Sequence, residues 1–235
     1  MTRDDVLQTL QKLGTEQNRK TYRRHGAGEN VYGVSFANLG VLKKKIKCDH
    51  ELATQLWDSG NFDAQNLATM IADATCMNAA EMGRWVKAVD SYPIAGLLGT
   101  LVAQTPQAQT MIAKWTASKD EWIGTTGWDA LAAYAAAVAK QGRPVENDFY
   151  LPYLVQIETG ISRVANRVRH AMNGALIAIG SLGGELATHA LVIADRIGKV
   201  IVDHGQTDCK TPDARAYIEK TLAYRAAKAG VTRKK

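Results

Sequence analysis

The chain has 235 residues, 46% of them hydrophobic and 22% charged, which is the composition of a globular protein that buries a core. Its net charge of +6 is compatible with a nucleic-acid partner without requiring one. No apolar segment approaches the roughly 20 residues that span a bilayer. No secretory signal opens the chain, and the cysteines are far apart, so we predict a cytoplasmic protein without disulfides or a membrane partner.

Apolar residues recur with the period of an α-helix along most of the chain. A first helix is expected to end at Gly14, a second to begin after the cap residue Ser35 and a third to begin at Asp49. Strand alternation is missing, and only residues 199–203 are β-branched enough to be extended. Roughly twelve short helices, each too short to bury its own face, predict an all-α fold of HEAT-like helical repeats forming a curved α-solenoid. We expect a single domain, 1–235, with a flexible basic tail at 230–235.

Basic side chains gather at three places, and two of these places have a second interpretation. One is near the N-terminus, and one ends the helix that follows Ser35, where cations also stabilise the helix dipole. The third is a face of the helix predicted to start at Ser162, which carries hydrogen-bond donors and continues to Asn173. A solvated surface usually mixes both charge signs, whereas this face has no acid, so phosphate contact is favoured. The candidate DNA-binding residues are Arg23, Arg24, Lys43, Lys44, Lys45, Lys47, Arg163, Asn166, Arg167 and His170.

Residues 199–213 hold the densest group of chemically active side chains. Thr211 is expected to cap a helix that starts at Pro212, and Gly205 can take the positive φ of a turn. This architecture leaves Asp203, His204 and Cys209 unexplained. They belong to a structural turn, to a nucleic-acid or ligand contact, or to metal or thiol chemistry. Too few ligands lie together for a zinc site, so we predict no metal and no cofactor.

Several segments resemble the bacterial DNA alkylation repair family. They include YRRHGAGENVYGVSFANLG from Tyr22, LATQLWDSGNFDAQNLA from Leu52, WVKAVDSYPIAGLLG from Trp85 and RVRHAMNGALIAIG from Arg167. The resemblance runs nearly end to end. It implies a HEAT-like-repeat fold and alkylpurine DNA glycosylase chemistry. In that chemistry a carboxylate and aromatic faces stabilise the positive charge of the breaking glycosidic bond, and an arginine holds a phosphate.

The resemblance implies catalytic roles for two residues, and the chain departs from the family elsewhere. Asp90 matches the carboxylate, and Trp85 matches the first of a pair of tryptophans. The second tryptophan, the arginine and the last aromatic residue have no equivalent. Their places are taken by Val86, Thr125, Ile177 and Ala178.

The sequence therefore predicts a monomeric DNA-binding protein of the DNA alkylation repair type. Its basic concave face would hold the backbone of duplex or branched DNA, with excision of cationic alkylated purines weakened or absent. One alternative is a non-enzymatic HEAT-repeat scaffold that binds protein or structured nucleic acid. Another is an enzyme of unknown reaction centred on Asp203, His204 and Cys209.

Overall fold

The computed structural model describes residues 1–232, with side chains to residue 228, so the basic tail predicted at 230–235 lies outside the described side chains. The described residues form thirteen helices and no strand, which confirms the all-α prediction. One of them, α2, was not predicted. The helices are α1 (Arg3–Leu13), α2 (Glu16–Arg24), α3 (Phe36–Ile46), α4 (His50–Trp57), α5 (Phe62–Ile71), α6 (Ala79–Lys87), α7 (Tyr92–Val102), α8 (Ala108–Thr116), α9 (Glu121–Gln141), α10 (Asn147–Gly160), α11 (Asn166–Gly180), α12 (Gly184–Ile197) and α13 (Ala214–Thr232).

Helix caps fall largely where the sequence places them. Gly14 follows α1, Ser35 accepts a hydrogen bond from the Asn38 N–H at 3.2 Å, and Asp49 accepts one from the Leu52 N–H at 3.0 Å. These bonds satisfy N–H groups that a helix start leaves without partners.

Two helix starts were predicted wrongly. α11 begins at Asn166 and not at Ser162, because the residues before it form turns whose carbonyls bind Arg169. Arg169 Nε donates to Ile161 O at 3.2 Å, and Arg169 Nη2 donates to Val164 O at 3.1 Å. α13 begins at Ala214 with Asp213 as its cap, since the Asp213 carboxylate accepts from the Ala216 N–H at 2.8 Å.

The helices form two layers. α3, α5, α7, α9, α11 and α13 pack successively against one another as the inner layer, and α4, α6, α8, α10 and α12 cover its outer side. Inner helices are in close contact, whereas in the described part α4, α6 and α8 make little contact with one another. A double layer whose helices are packed more closely on one side bends toward that side. The paired helices therefore form a curved α-solenoid, and the inner layer lines its concave face, which we call the groove.

Close helix approach in the inner layer depends on glycine. A Cβ at Gly99 of α7 would lie 2.8 Å from Ala130 N on α9, so no larger residue fits there. A Cβ at Gly127 would lie 2.6 Å from Thr116 N, which holds α9 equally close to α8. These contacts fix which face of α9 is turned to the outer layer and which to the groove.

A buried carboxylate holds the chain between α2 and α3. Asp63 on α5 accepts the backbone N–H groups of Tyr32, Gly33 and Val34 at 2.7, 3.0 and 2.8 Å. Tyr22 on α2 donates its hydroxyl to Val34 O at 2.7 Å. The end of α2 is thereby fixed beside the groove.

Candidate functional site

Side chains from four parts of the chain meet where α7 and α11 begin. His25, at the end of α2, is hydrogen-bonded through Nδ1 to the hydroxyl of Tyr92 at the start of α7. The guanidinium of Arg167 on α11 lies over the Tyr92 ring, with 4.3 Å between Cζ and the ring centroid. His170, one turn further along α11, packs edge to face on His204, with 5.5 Å between the ring centroids. We call His25, Tyr92, Arg167, His170 and His204 the groove cluster.

The groove cluster combines the positive charge of Arg167 with three side chains whose pKa is shifted by burial. Burial lowers the pKa of His25, and the nearby Arg24 and Arg167 lower it further. The pKa of His170 is lowered by burial, then by His204 and Arg167. Burial raises the pKa of Tyr92, and the nearby Cys209 adds to the shift while Arg167 opposes it. At neutral pH His25 and His170 are therefore largely uncharged, and Arg167 carries a fixed positive charge.

The guanidinium of Arg167 has no acidic partner among the described residues. Glu121 of α9 accepts a hydrogen bond from the Arg167 backbone N–H at 2.8 Å, but no carboxylate forms an ion pair with the side chain. Stacking on Tyr92 holds the planar group in place and leaves its N–H donors free. Such a fork matches two oxygens of a phosphate.

The donor face predicted on α11 is only partly formed. Arg167 and His170 are brought together, whereas Arg163 lies in the turn before α11 and donates to the Thr159 carbonyl. Asn173 is buried, and its amide donates to Pro212 O at 2.9 Å. Asn166 also binds protein backbone. The donor face of α11 is therefore divided between residues in the groove and residues that bind other parts of the chain.

The segment that joins α12 to α13, residues 198–213, is a strap held by α11. Asn166 exchanges two hydrogen bonds with the backbone of Asp203, both 2.8 Å long. Arg169 donates to Ile201 O at 3.1 Å, and Asn173 donates to Pro212 O near the C-terminal end of the strap. Long connections without secondary structure are commonly functional. Here the strap forms one wall of the groove cluster.

Turn geometry accounts for most of the strap's polar residues. The Asp203 carboxylate accepts from the Gly205 N–H at 2.8 Å, and Gly205 has the predicted positive φ of 60°. His204 Nε2 is hydrogen-bonded to the Thr211 hydroxyl at 2.9 Å, so Thr211 supports the strap and does not cap α13. Cys209 is exposed, and its thiol forms no disulfide. No group of three metal-ligating side chains occurs in the described residues.

The other basic candidates lie at the rims of the groove. Arg23 pairs with the Glu29 carboxylate at 2.6 Å, and Arg24 is exposed beside His25. The lysines at the end of α3 are exposed, and Lys43 lines a cleft with Thr100 and Gln104 near the end of α7. The groove cluster adjoins the start of α7, so the two basic regions occupy opposite ends of this helix.

The structure corrects the expectation for Trp85. Its side chain is 0% exposed and stacks on Trp57, with 4.2 Å between ring centroids and 3° between ring planes. Neither face is free to contact a base. Asp90 is exposed in the connection between α6 and α7, near Gly28. Thr125, at the place of the family's arginine, is 2% exposed.

Sequence reasoning missed Tyr92 and assigned His25 no site role. A serine-tyrosine-proline sequence at the start of α7 signals a helix start only, and no periodic pattern connects it to α2 or α11. His25 and Tyr92 are 67 positions apart in the sequence, so their hydrogen bond exists only in the folded chain.

The fold and the site together define a curved helical-repeat protein with a preorganised arginine in its concave face. Family comparison agrees: residues 6–208 match the DNA alkylation repair enzyme family, and the chain belongs to that family. No helix in the described part of the chain is long and apolar enough to cross a membrane.

Relatives of similar length are found in two Listeria species. Uncharacterized proteins of Listeria innocua serovar 6a and Listeria monocytogenes serovar 1/2a are each 26% identical over 226 residues, which is 94% of this chain and 97% of theirs. A solved structure is 28% identical, with a TM-score of 0.86 and 95% of both chains covered. It represents a family of proteins related to the HEAT-like repeat DNA glycosylases with affinity for branched DNA structures. The HEAT-like repeat fold is thereby confirmed.

Proposed function

We propose that this chain binds DNA in the groove through the phosphate backbone and holds branched DNA without efficient base excision. The observation that carries the proposal is the free guanidinium of Arg167, stacked on Tyr92 at 4.3 Å and lacking an ion pair with any described carboxylate. A cation held in place but not neutralised is suited to a phosphate. The branched-DNA affinity of the structural neighbour supports the choice of DNA.

Two basic rims fit a ligand with two backbones. α7 has eleven residues and spans about 16 Å at 1.5 Å per residue, with Arg167 near one end and Lys43 near the other. A separation of this order is similar to the roughly 12 Å width of the DNA major groove. Two strands that flank a groove or leave a branch point can then be held together.

The residues that the resemblance implies for catalysis give less support to an enzymatic function. Trp85 is buried, Thr125 replaces the phosphate-holding arginine, and of the implied catalytic residues only Asp90 faces solvent. A carboxylate in open solvent is screened, so it gives little stabilisation to a developing positive charge. We therefore assign binding as the main function.

The test is a salt titration of affinity for a four-way DNA junction and for a duplex of the same composition. The logarithm of the association constant should fall linearly with the logarithm of salt concentration, and Arg167→Ala should reduce the slope by about one phosphate equivalent.

Arg196→Ala is the matched control, because it removes the same charge from α12, where Arg196 pairs with Glu158 at 2.7 Å. It should leave the slope unchanged. An equal slope in wild type and Arg167→Ala would exclude the groove cluster from the interface. Failure of the wild type to bind either DNA would refute the proposed function.

A further inference from the structure

A large cleft lies at the edge of the solenoid where α7 ends and α8 begins, and we call it the edge cleft. Its volume of about 710 Å³ is within the roughly 300–1,000 Å³ of small-molecule sites. The turn after α7, the start of α8 and the C-terminal half of α9 line it through Gln104, Gln109, Thr110, Tyr134 and Gln141. Tyr134 follows Glu121 by thirteen residues, about 20 Å along α9, so the edge cleft is separate from the groove cluster.

Arg143 supplies the positive charge of the edge cleft. Its guanidinium lies over the Tyr134 ring, with 5.1 Å between Cζ and the ring centroid, as that of Arg167 lies over Tyr92. Among the described residues no carboxylate forms an ion pair with Arg143, and the described lining of the edge cleft contains no acidic residue. A guanidinium held flat with free N–H donors matches two oxygens of a phosphate.

The ring under Arg143 is fixed by its neighbours. Gln109 Nε2 donates to the Tyr134 hydroxyl at 3.1 Å, and Phe149 packs edge to face on the ring, with 5.5 Å between centroids. No side chain caps the start of α8, whose partial positive charge adds to that of Arg143. The C-terminal ends of α7 and α9 carry the opposite partial charge, so attraction of an anion depends on Arg143.

A smaller slot adjoins the edge cleft and shares Tyr134 and Arg143 with it. The rest of its lining is Val138, Pro144, Glu146, Phe149 and Tyr150. Its volume of about 120 Å³ equals that of about four water molecules, which suits one flat ring. Three of its walls are aromatic, and aromatic side chains hold nucleobases by stacking. Glu146 is its one described acid, and a carboxylate accepts hydrogen bonds from the amino group of a base.

We propose that the edge cleft and the slot together bind a nucleotide with a terminal phosphate. The base enters the aromatic slot, and the phosphate, which carries close to two negative charges, lies on Arg143 in the acid-free cleft. Such a nucleotide is either a free mononucleotide or the phosphorylated end of a DNA strand. The inference goes beyond the proposed function and does not depend on DNA in the groove, because the edge cleft is lined by other residues.

The first test uses deoxyadenosine 5′-monophosphate and, without the phosphate, deoxyadenosine. The mononucleotide at millimolar concentration should shift the backbone amide NMR resonances of Gln109 and Thr110 saturably, and deoxyadenosine should bind roughly tenfold more weakly. Arg143→Ala should weaken mononucleotide binding roughly tenfold, and Arg143→Lys should weaken it less, because the charge stays and the fork is lost. Arg196→Ala, which removes an arginine paired with Glu158, is the control and should bind as wild type does.

The second test separates the two sources of the nucleotide. It compares one duplex whose unpaired 5′ end carries a phosphate with the same duplex carrying a 5′-hydroxyl. Roughly tenfold tighter binding of the phosphorylated duplex, lost in Arg143→Ala, would identify the strand end as the ligand. Equal binding of the two duplexes by a wild type that binds the mononucleotide would identify the free nucleotide.

Two results would overturn the inference. One is the absence of a saturable shift with the mononucleotide together with equal binding of the two duplexes, and this would leave DNA binding through Arg167 intact. The other is mononucleotide affinity that Arg143→Ala leaves unchanged. A wild type that binds no DNA would refute the proposed function, and the mononucleotide titration would still test the edge cleft.

Discussion

At the scale of single residues, Arg167 and Thr125 differ in what they bring to the groove: Arg167 stacks on Tyr92, whereas Thr125 is an uncharged buried side chain. The resemblance to the family puts an arginine at Thr125, and the chain lacks it. In the folded chain Arg167 reaches from α11 to Tyr92 on α7, and its backbone meets Glu121 at the start of α9. A cation is therefore restored to the groove from a different helix.

The contribution of Tyr92 can be separated into stacking and hydrogen bonding. Tyr92→Phe keeps the ring under Arg167 but removes the bond to His25, so affinity for a DNA junction should stay within about twofold. Tyr92→Ala frees the guanidinium, and a cation–π contact of about 0.5–2 kcal/mol corresponds to roughly 2- to 30-fold weaker binding. Equal affinities for the two variants, measured by fluorescence anisotropy, would show that stacking does not matter.

Asp129 should make stability depend on pH. Its pKa is about 7 in the folded chain against an ordinary value of 3.8. Between these values the folded state keeps a proton that the unfolded state has lost, so rising pH favours unfolding. Asp129→Asn removes this loss of folding stability with rising pH. The free energy of unfolding of the variant, relative to wild type, should therefore increase from pH 4.5 to pH 8.

Urea denaturation at pH 4.5 and at pH 8 measures the free energy of unfolding of wild type and variant. Asp148→Asn, which changes an exposed carboxylate, should show no gain in stability relative to wild type between these pH values. If Asp129→Asn followed the wild type at every pH, the carboxyl would have an ordinary pKa in the folded chain.

At the scale of elements, α11 has a double role. Its groove side carries Arg167 and His170, while Asn166, Arg169 and Asn173 bind the backbone of the strap. The donor-rich pattern that suggested a nucleic-acid contact is thus divided between the groove cluster and support of the strap. Support matters for the site because the strap brings His204 against His170.

Asn166→Ala should loosen the strap without unfolding the protein. It removes two hydrogen bonds to Asp203, and each is worth about 0.5–1.5 kcal/mol. Hydrogen exchange of the Asp203 and Gly205 amides should accelerate while α9 keeps its protection. Asn147→Ala, which removes one bond from α10 to Glu185 on α12, is the control and should leave the strap unchanged. Unaltered exchange in Asn166→Ala would mean that other contacts fix the strap.

At the scale of the whole molecule, the chain has the HEAT-like repeat fold of its family, and the resemblance matches only part of the family's catalytic residues to this sequence. We expect release of 7-methylguanine from methylated duplex DNA to stay near the uncatalysed rate. The charge-assisted phosphate bond lost at Thr125 is worth about 1.5–3 kcal/mol, and each 1.4 kcal/mol of barrier is about tenfold in rate. The buried Trp85 offers no aromatic face.

Single-turnover release by wild type and by Asp90→Asn measures this directly. Both should resemble the rate without protein, and both should still bind a DNA junction. Robust release that Asp90→Asn abolishes would restore the glycosylase function and would show that an exposed carboxylate suffices.

The sequence by itself determined the helical class, most helix positions and the cap at Ser35, because these depend on local periodicity and on side chains that bond to nearby backbone. It also singled out Arg167 and His170, because a face without acids is visible in one helix. It could not show that Trp85 is core, since burial depends on which helices pack together.

Only the tertiary structure decided the site. His25 and Tyr92 are hydrogen-bonded across the chain, Arg167 stacks on Tyr92, and the strap takes up Asn166 and Asn173. The physical reason is the same in each case. Hydrophobic burial and helix packing determine which distant residues meet, and a periodic sequence fixes the face of each helix but not its neighbours.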